Sequence, residues 1–280
     1  MNSDEVKSLE AIAAKCRRKV VRMVEASSCG HLGGALSCID IISALYFHSM
    51  KIDSKNPTLP DRDRFILSAG HKCMAQYAVL AQKGYFEEEI LDTYGSLHTK
   101  IPGHPDMHKL PGIEANTGAL GHGLSIAIGM ALGLRLCNYS SRVYVIMGDG
   151  ELAEGSNWEA AAAAAHHKLD NLVAVVDNNG LQISGQTTDV MNMNPISEHF
   201  KAFGWSIVDI DGNNMQEIVN TLDALPLQQG NPTLIVAHTI KGKGLSFAEN
   251  NVKYHYWKPT KEELEQAIYE LDTEIKEETN

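Results

Sequence analysis

The chain has 280 residues, enough for one large α/β domain or two small ones, and an apolar content of 44% that is normal for a globular protein. Its 24 basic and 35 acidic residues give a net charge of −11, which argues against nucleic acid or an anionic membrane as a partner. The five cysteines form no C-x-x-C pair, no apolar stretch is long enough to span a membrane, and no signal-peptide pattern follows Met1. We therefore expect a cytoplasmic protein with mostly buried free thiols.

The first part of the chain is predicted to be mainly helical. Asn2 to Glu5 begins a long amphipathic helix, in which apolar residues recur at helical spacing. A glycine-rich loop from Gly30 to Gly34 leads into a second helix, and a short strand at 65–68 precedes a further helix. Residues 95–117 contain three prolines and are predicted to form an extended loop. A loop of that length inside a compact domain is usually functional.

Strands alternate with helices in the rest of the chain. Small and apolar residues on nearly all sides predict a buried helix at 118–137, and the acidic tail at 261–280 is predicted to be a surface helix. The predicted strands are 143–147, 171–177, 205–210 and 233–237, with an alanine-rich helix at 157–168 inside a βαβ unit. This alternation predicts an α/β fold, with a parallel sheet covered by helices on both faces and a single domain over residues 1–280.

Two polar motifs follow neighbouring predicted strands. Gly148-Asp149-Gly150 ends the strand at 143–147, and Asn178-Asn179 follows the strand at 171–177. Ligands of open parallel sheets bind at the carboxyl ends of the strands. One carboxylate, one amide oxygen, a backbone carbonyl, two phosphate oxygens and a water would complete the six-oxygen shell of Mg²⁺. The pair of motifs predicts a magnesium–diphosphate site, whereas the glycine-flanked aspartate alone would indicate only a turn.

Histidines in glycine- or proline-flanked loops are candidates for a pocket, because such loops project polar side chains toward ligands. These are His31, His71, His104 and His122. Imidazole can donate or accept a proton near neutral pH, as general acid–base chemistry requires. Core or surface positions are expected for His48, His98, His108, His166, His167 and His199.

Six motifs occur in a fixed order along the chain: Gly30–Gly34, Leu67–His71, Pro102–Pro105, Thr117–Gly123, Gly148–Gly150 and Asp177–Asn179. Together they resemble the motifs of transketolases, and the resemblance covers the chain from end to end as the amino-terminal, diphosphate-binding region of that family.

The resemblance implies thiamine diphosphate and Mg²⁺ (or Ca²⁺ or Mn²⁺) as cofactors, and it assigns residues to them. The implied metal ligands are Asp149, Asn179 and the Leu181 carbonyl, and the choice of Asn179 over Asn178 depends on the resemblance. The implied cofactor-binding residues are His31, His71, Gly118, Leu120, Gly150, Glu154 and Asn179. The implied catalytic residues are His31, His71, His104, His255 and Glu154. Glu154 and Glu159 match carboxylates at a dimer interface, although Glu159 is equally well explained as an acidic residue in a first helical turn.

The resemblance also implies an activity, the transfer of a two-carbon ketol unit from a ketose phosphate to an aldose phosphate. In the family, a pyrimidine-binding domain and a third domain follow the region matched here. We therefore expect them on a separate partner chain, giving a split transketolase that is active only as a heterotetramer.

Four alternatives remain open. A 1-deoxy-xylulose-5-phosphate synthase-like protein has a similar Gly-His-Leu loop, and a 2-oxo-acid decarboxylating subunit shares the aspartate and asparagine but not the histidines. A regulatory subunit would keep the fold without activity. The family often has Trp-His-Gly where this chain has His255 followed by Tyr256, so a variant acting on sulfo- or branched sugars is the fourth. Near that segment, the basic stretch Lys241–Gly244 is predicted to be either a mobile loop that brings charge to a phosphate or a solvated turn.

Overall fold

The computed structural model describes residues 3–279, so the predicted helix start at Asn2 and the last residue of the predicted domain lie outside the described residues. The helices are α1 Ser3–Ser27, α2 Leu32–Ser37, α3 Ile39–Ala44, α4 Cys73–Gln82, α5 Gly123–Leu136, α6 Gly155–His166, α7 Thr187–Val190, α8 Ile196–Phe203, α9 Met215–Asp223 and α10 Lys261–Thr279. The strands are β1 Arg64–Leu67, β2 Val143–Gly148, β3 Leu172–Asn178, β4 Leu181–Gln182, β5 Gly185–Gln186, β6 Ser206–Asp211 and β7 Thr233–His238.

A five-stranded sheet in the order β1-β2-β3-β7-β6 forms the centre of the fold, and all its neighbouring strands are parallel. Successive side chains of a strand point to opposite faces. Tyr144 and Ile146 of β2 accordingly pack with α1 to α4, whereas Val143 and Val145 pack with α5, α6 and α8. Both faces are therefore covered, and the predicted α/β fold with a parallel sheet is confirmed.

The prediction of a buried helix at 118–137 was wrong in two respects, its starting residue and its burial. Residues 118–122 form a loop, because Gly118 and Gly121 have φ values of +133° and +84° that do not belong to a helix. The helix that follows is not buried all round: one face packs on the sheet, while Gly129 is exposed and Leu136 is 84% exposed. A helix face of small and apolar residues has the same sequence pattern whether it is buried within this chain or left exposed by it.

Other differences are smaller. The second predicted helix breaks at Cys38 into α2 and α3, and the hairpin β4–β5 and helix α8 were not predicted. Residues 95–117 contain no helix or strand, as predicted. The tail helix α10 is docked on α1, since Ala267 and Leu271 are fully buried.

The cysteines are all free thiols. Cys16, Cys38 and Cys73 are buried, as expected for most of them, while Cys29 is half-buried and Cys137 is exposed. Between residues 3 and 279, no helix has the length and apolar character needed to cross a bilayer.

Candidate active site

A cleft of about 230 Å³ opens at the carboxyl ends of β1, β2 and β3. Nine of the predicted site residues line it: His31, His71, Gly118, Leu120, Asp149, Gly150, Asn179, Leu181 and His255. They come from segments far apart in the chain, and the parallel sheet brings them together by aligning its strand ends.

Asp149 links the ends of β2 and β3. The side chain is 5% exposed, and its two oxygens accept backbone hydrogen bonds from Gly150 N at 2.8 Å and Gly180 N at 2.7 Å. Burial raises the pKa of Asp149, and the nearby Lys72 ammonium group opposes that rise. The carboxylate is thus held in place before any ligand arrives.

The two asparagines after β3 have different surroundings. Asn179 is 8% exposed and lines the cleft, and its Oδ1 accepts the Leu181 N–H at 3.2 Å. Asn178 instead forms a hydrogen bond with His238 Nδ1 at 3.3 Å, at the end of the neighbouring strand β7. The structure therefore places Asn179, rather than Asn178, beside Asp149.

The oxygens in the cleft suit a hard divalent cation that brings its own phosphate ligands. No group of three or more His, Cys, Asp or Glu side chains in the described part of the chain could hold a metal alone. Asp149, Asn179 and the Leu181 carbonyl offer only oxygens, the donors that Mg²⁺ and Ca²⁺ prefer. The Leu181 carbonyl already accepts a charged donor, the Lys241 ammonium group at 2.7 Å. The Leu181 carbonyl therefore already stabilises a positive charge, and together with Asp149 and Asn179 it would hold a divalent cation.

Glycine backbones bring the cleft walls into close contact. A Cβ on Gly118 would lie 2.6 Å from the His104 ring, and one on Gly70 would lie 2.7 Å from Gly118 N. Larger residues would therefore push the loops apart.

Four imidazoles gather at the cleft. The His31 ring centroid lies 5.4 Å from that of His71, 5.6 Å from His255 and 6.4 Å from His104. Burial is the main cause that lowers the pKa of His71 to about 2 and that of His255 to about 3, and it also lowers the pKa of His31. These three rings are thus neutral at pH 7, so each offers one hydrogen-bond donor and one acceptor.

Three predicted candidates lie outside this cluster. Glu154 is exposed at the N-terminus of α6, where its Cβ is close to Gly121, and Glu159 is exposed on the same helix. His122 is exposed, and its Nδ1 lies 3.2 Å from the Leu120 carbonyl.

Lys241 is neither solvated nor on an open loop, so the interpretation as a solvated turn was wrong. It is 2% exposed, and its Nζ contacts the Leu181 carbonyl and His255 Nδ1, the latter at 3.0 Å. Burial, followed by repulsion from Lys72, lowers the pKa of Lys241 to about 8. Lys241 therefore adds positive charge to the wall of the cleft, which the sequence alone had only suggested.

Sequence reasoning missed Glu151 and Lys72, which also line the cleft. Glu151 is 3% exposed and accepts hydrogen bonds from Ser68 Oγ, Gly121 N and Gly148 N. Lys72 is also 3% exposed and is paired with Asp177. The available signal was their position in the sequence, since Lys72 directly follows the motif ending at His71 and Glu151 the motif ending at Gly150. Charged residues next to such motifs are normally exposed, so this signal did not identify them as cleft residues.

The chain is similar to transketolases along nearly its whole length. The family model for the transketolase thiamine diphosphate-binding domain matches residues 8–276. The chain is 42% identical over 271 residues to one of the subunits of apulose-4-phosphate transketolase from Phocaeicola vulgatus, covering 97% of this chain and 96% of that protein. It is also 42% identical over 272 residues to a 6-deoxy-6-sulfo-D-fructose transketolase subunit of a Clostridium species, covering 97% of this chain and 99% of that protein.

Full-length transketolases match over less than half of their own length. Human transketolase is 35% identical over 275 residues, covering 98% of this chain and 44% of that protein. The crystal structure of transketolase from Campylobacter jejuni superposes with a TM-score of 0.89 at 32% identity, covering 97% of this chain and 43% of that chain. The chain therefore corresponds to one part of such enzymes and to nearly the whole of the subunit relatives.

Proposed function

The chain belongs to the transketolase family as its amino-terminal, thiamine diphosphate-binding part, and on that premise we propose that it is one subunit of a split enzyme. A partner chain supplies the pyrimidine-binding and third domains, in a heterotetramer. The observation that carries the proposal is nearly full-length similarity to relatives named as subunits, together with an intact cleft. The free thiols accord with a reducing, cytoplasmic location.

The cleft residues divide between the two ends of the cofactor. Asp149, Asn179 and the Leu181 carbonyl would hold the Mg²⁺ of thiamine diphosphate, and Lys241 would face the diphosphate with its positive charge. When bound, thiamine diphosphate supplies the carbanion chemistry that makes and breaks the ketol carbon–carbon bond. The protein residues around it bind, orient and exchange protons.

The neutral imidazoles act at the substrate end. His31 and His71 can each donate one hydrogen bond to a substrate hydroxyl and accept another, whereas His255 can only donate, because its Nδ1 already accepts from Lys241. His104 is exposed beside His31, where it can reach a hydroxyl farther along the sugar. This set distinguishes the chain from 2-oxo-acid decarboxylating subunits, for which we expect no such cluster.

Exposed apolar surface supports a partner chain. Ile183 lines the cleft and is nevertheless 73% exposed, and Leu136 at the end of α5 is 84% exposed. On the same helix, a Cβ at Gly129 or Gly133 would meet only open space. Apolar residues around a binding cleft are typical of protein interfaces. We propose that the partner chain covers both the apolar residue Ile183 at the cleft and the exposed face of α5. We also propose that Glu154 lies at the interface with this partner.

The substrate is proposed to be a ketose with an anionic terminal group, in the class of phosphorylated or sulfonated modified sugars. Two relatives with 42% identity are named for apulose 4-phosphate and 6-deoxy-6-sulfo-D-fructose. Tyr256 supports an altered substrate rim: it is 45% exposed, its ring centroid is 4.8 Å from that of His31, and its hydroxyl donates to Cys29 Sγ at 3.0 Å. A phenol at this position narrows the approach to the imidazoles.

The experiment is a calorimetric titration of thiamine diphosphate and Mg²⁺ into the purified complex, followed by a ketol-transfer assay. Asp149→Asn should weaken Mg²⁺-dependent cofactor binding by at least about 100-fold, more than is typical for losing an outer-shell partner of a metal site. Asp272→Asn is the matched control, because Asp272 is exposed and pairs with Arg18 at the surface. Wild-type transfer activity in the Asp149→Asn complex would show that the chain is regulatory instead.

A further inference from the structure

A lysine ammonium group lies buried beneath the diphosphate end of the cleft. Lys72 ends the 3₁₀ turn Gly70–Lys72 after β1, and its Nζ lies 2.6 Å from Oδ2 of Asp177, which is 0% exposed. Burial disfavours the charged form of Lys72, yet the Asp177 carboxylate overcomes this and raises its pKa above the ordinary lysine value. The two side chains therefore form a salt bridge that the protein encloses.

Asp177 is the junction of the segments that build the site. Its Oδ2 also accepts from Ser37 Oγ of α2 at 2.6 Å and from Asn179 Nδ2 at 3.5 Å, while its Oδ1 accepts from Thr239 Oγ1 after β7. Because the Asn179 amide nitrogen is held by this carboxylate, the amide oxygen of Asn179 is turned the other way, toward Leu181 N. The orientation of Asp177 thus sets the orientation of a metal-site oxygen.

Two buried carboxylates lie at the carboxyl ends of neighbouring strands, where like charges repel each other. Asp177 pairs with Gly148 in the register of β2 and β3, and the N–H of the next residue, Asp149, donates to the Asp177 carbonyl at 3.3 Å. Lys72 supplies a positive charge beside them. Two glycines leave room for the lysine: a Cβ on Gly34 would lie 3.0 Å from Lys72 Cε, and one on Gly148 would lie 3.5 Å from Nζ. The slot thus fits a lysine side chain whose ammonium group ends at Asp177, next to the glycine that precedes Asp149.

We propose that Lys72 is an internal counter-cation of the metal site, which keeps Asp177 and Asp149 buried and Asn179 oriented while no divalent cation is bound. The chain then folds with its diphosphate site assembled and needs no metal to do so. Lys72 is a positioning residue here, acting through Asp177. This role depends on the metal site assigned under the proposed function, whereas its effect on folding can be measured without cofactor.

The first test is the thermal stability of Lys72→Met with and without Mg²⁺. Leaving Asp177 buried and unpaired should lower the Tm by roughly 10 °C in metal-free buffer. Because a divalent cation can replace the lost charge, 10 mM Mg²⁺ should restore several degrees to the variant and change the wild type little. Lys51→Met is the matched control, since Lys51 pairs with Asp61 at the surface, and it should show neither effect.

A double variant distinguishes the loss of the lysine charge from the loss of its packing contacts. It also keeps the proposal testable if the single variant Lys72→Met does not fold. Lys72→Met with Asp177→Asn removes both charges, so it should recover at least half of the lost Tm and show no added response to Mg²⁺. A double variant as unstable as the single one, or equally unfolded, would mean that Lys72 acts through packing and would overturn the proposal.

Metal affinity gives the second readout, measured with Mn²⁺ alone through the paramagnetic resonance signal of the free ion. Lys72→Met should bind Mn²⁺ at least about tenfold more tightly than the wild type, because the site gains a net negative charge. Equal affinity would overturn this proposal alone if the wild-type complex binds Mn²⁺ with thiamine diphosphate. Failure of that wild-type complex to bind Mn²⁺ would overturn the metal site and the counter-cation together.

Discussion

Replacing Glu151 should show how strongly the cleft depends on one buried carboxylate. Its oxygens accept hydrogen bonds from Gly121 N at 2.8 Å, from Gly148 N at 3.2 Å and from Ser68 Oγ, joining the β1 end, the loop before α5 and the β2 end. Glu151→Ala leaves three buried donors without an acceptor, each costing about 1–3 kcal/mol. Because the penalty for burying the carboxylate disappears as well, we expect a net loss of about 3–5 kcal/mol.

Glu151→Gln keeps the shape of the side chain and should cost less, about 1–3 kcal/mol, because its NH₂ group must face one of the same donors. The measurement is urea-induced unfolding followed by circular dichroism, at pH 7 and without cofactor. Glu198→Ala is the control: Glu198 is exposed and pairs only weakly with Lys201, at 3.4 Å on the same helix, so its loss should stay within about 0.5 kcal/mol. A Glu151→Ala protein within about 1 kcal/mol of the wild type would refute this account of how the loops are joined.

Substitutions at three other positions, Lys241, Tyr256 and His71, test the cleft. Lys241→Met removes a buried positive charge and should weaken pyrophosphate binding roughly 10- to 100-fold by calorimetry, whereas Lys243→Met, 34% exposed, should not. Tyr256→Gly should change the ratio of kcat/KM between two ketose donors with different terminal groups in the complex, and Tyr256→Phe isolates the hydrogen bond to Cys29; an unchanged ratio in both would exclude a role in specificity. Burial depresses the pKa of His71 to about 2, so its stabilising contribution is full above pH 6.5 and declines as the pH falls from there toward 2. As the pH falls from 6.5 to 5, the His71→Asn protein should therefore lose less stability than the wild type, by up to about 1.4 kcal/mol per pH unit. Urea unfolding at each pH measures the difference. Equal losses in the two proteins would contradict a neutral, buried His71.

The sheet and the motif residues could be predicted because their signals are local. The apolar runs that became β2 and β3 end in polar motifs, and a parallel sheet necessarily gathers those ends at one edge. Asp149 and the pair Asn178-Asn179 were found in this way, whereas the choice of Asn179 within the pair came from the resemblance. Helix α5 was misjudged because its apolar outer face gives the same pattern as a buried one.

Lys72 could not be predicted because its role depends on a distant partner. Asp177 lies 105 residues farther along the chain, and only the pairing of β1, β2 and β3 brings the two together. A lysine after a glycine–histidine turn is ordinarily solvated. The same reasoning applies to Lys241, which contacts Leu181 across 60 residues.

The most direct test of the split enzyme is ketol transfer by this chain with and without its partner. A tagged copy is recovered from its native lysate in Mg²⁺ and thiamine diphosphate, and the co-purifying chain is identified by mass spectrometry and produced separately. We expect a stoichiometric partner of roughly 300 residues, a size that fits the missing domains. Transfer should occur only when both chains and the cofactor are present. Turnover of a ketose phosphate by this chain alone, or no stoichiometric partner in the recovered sample, would contradict the split enzyme.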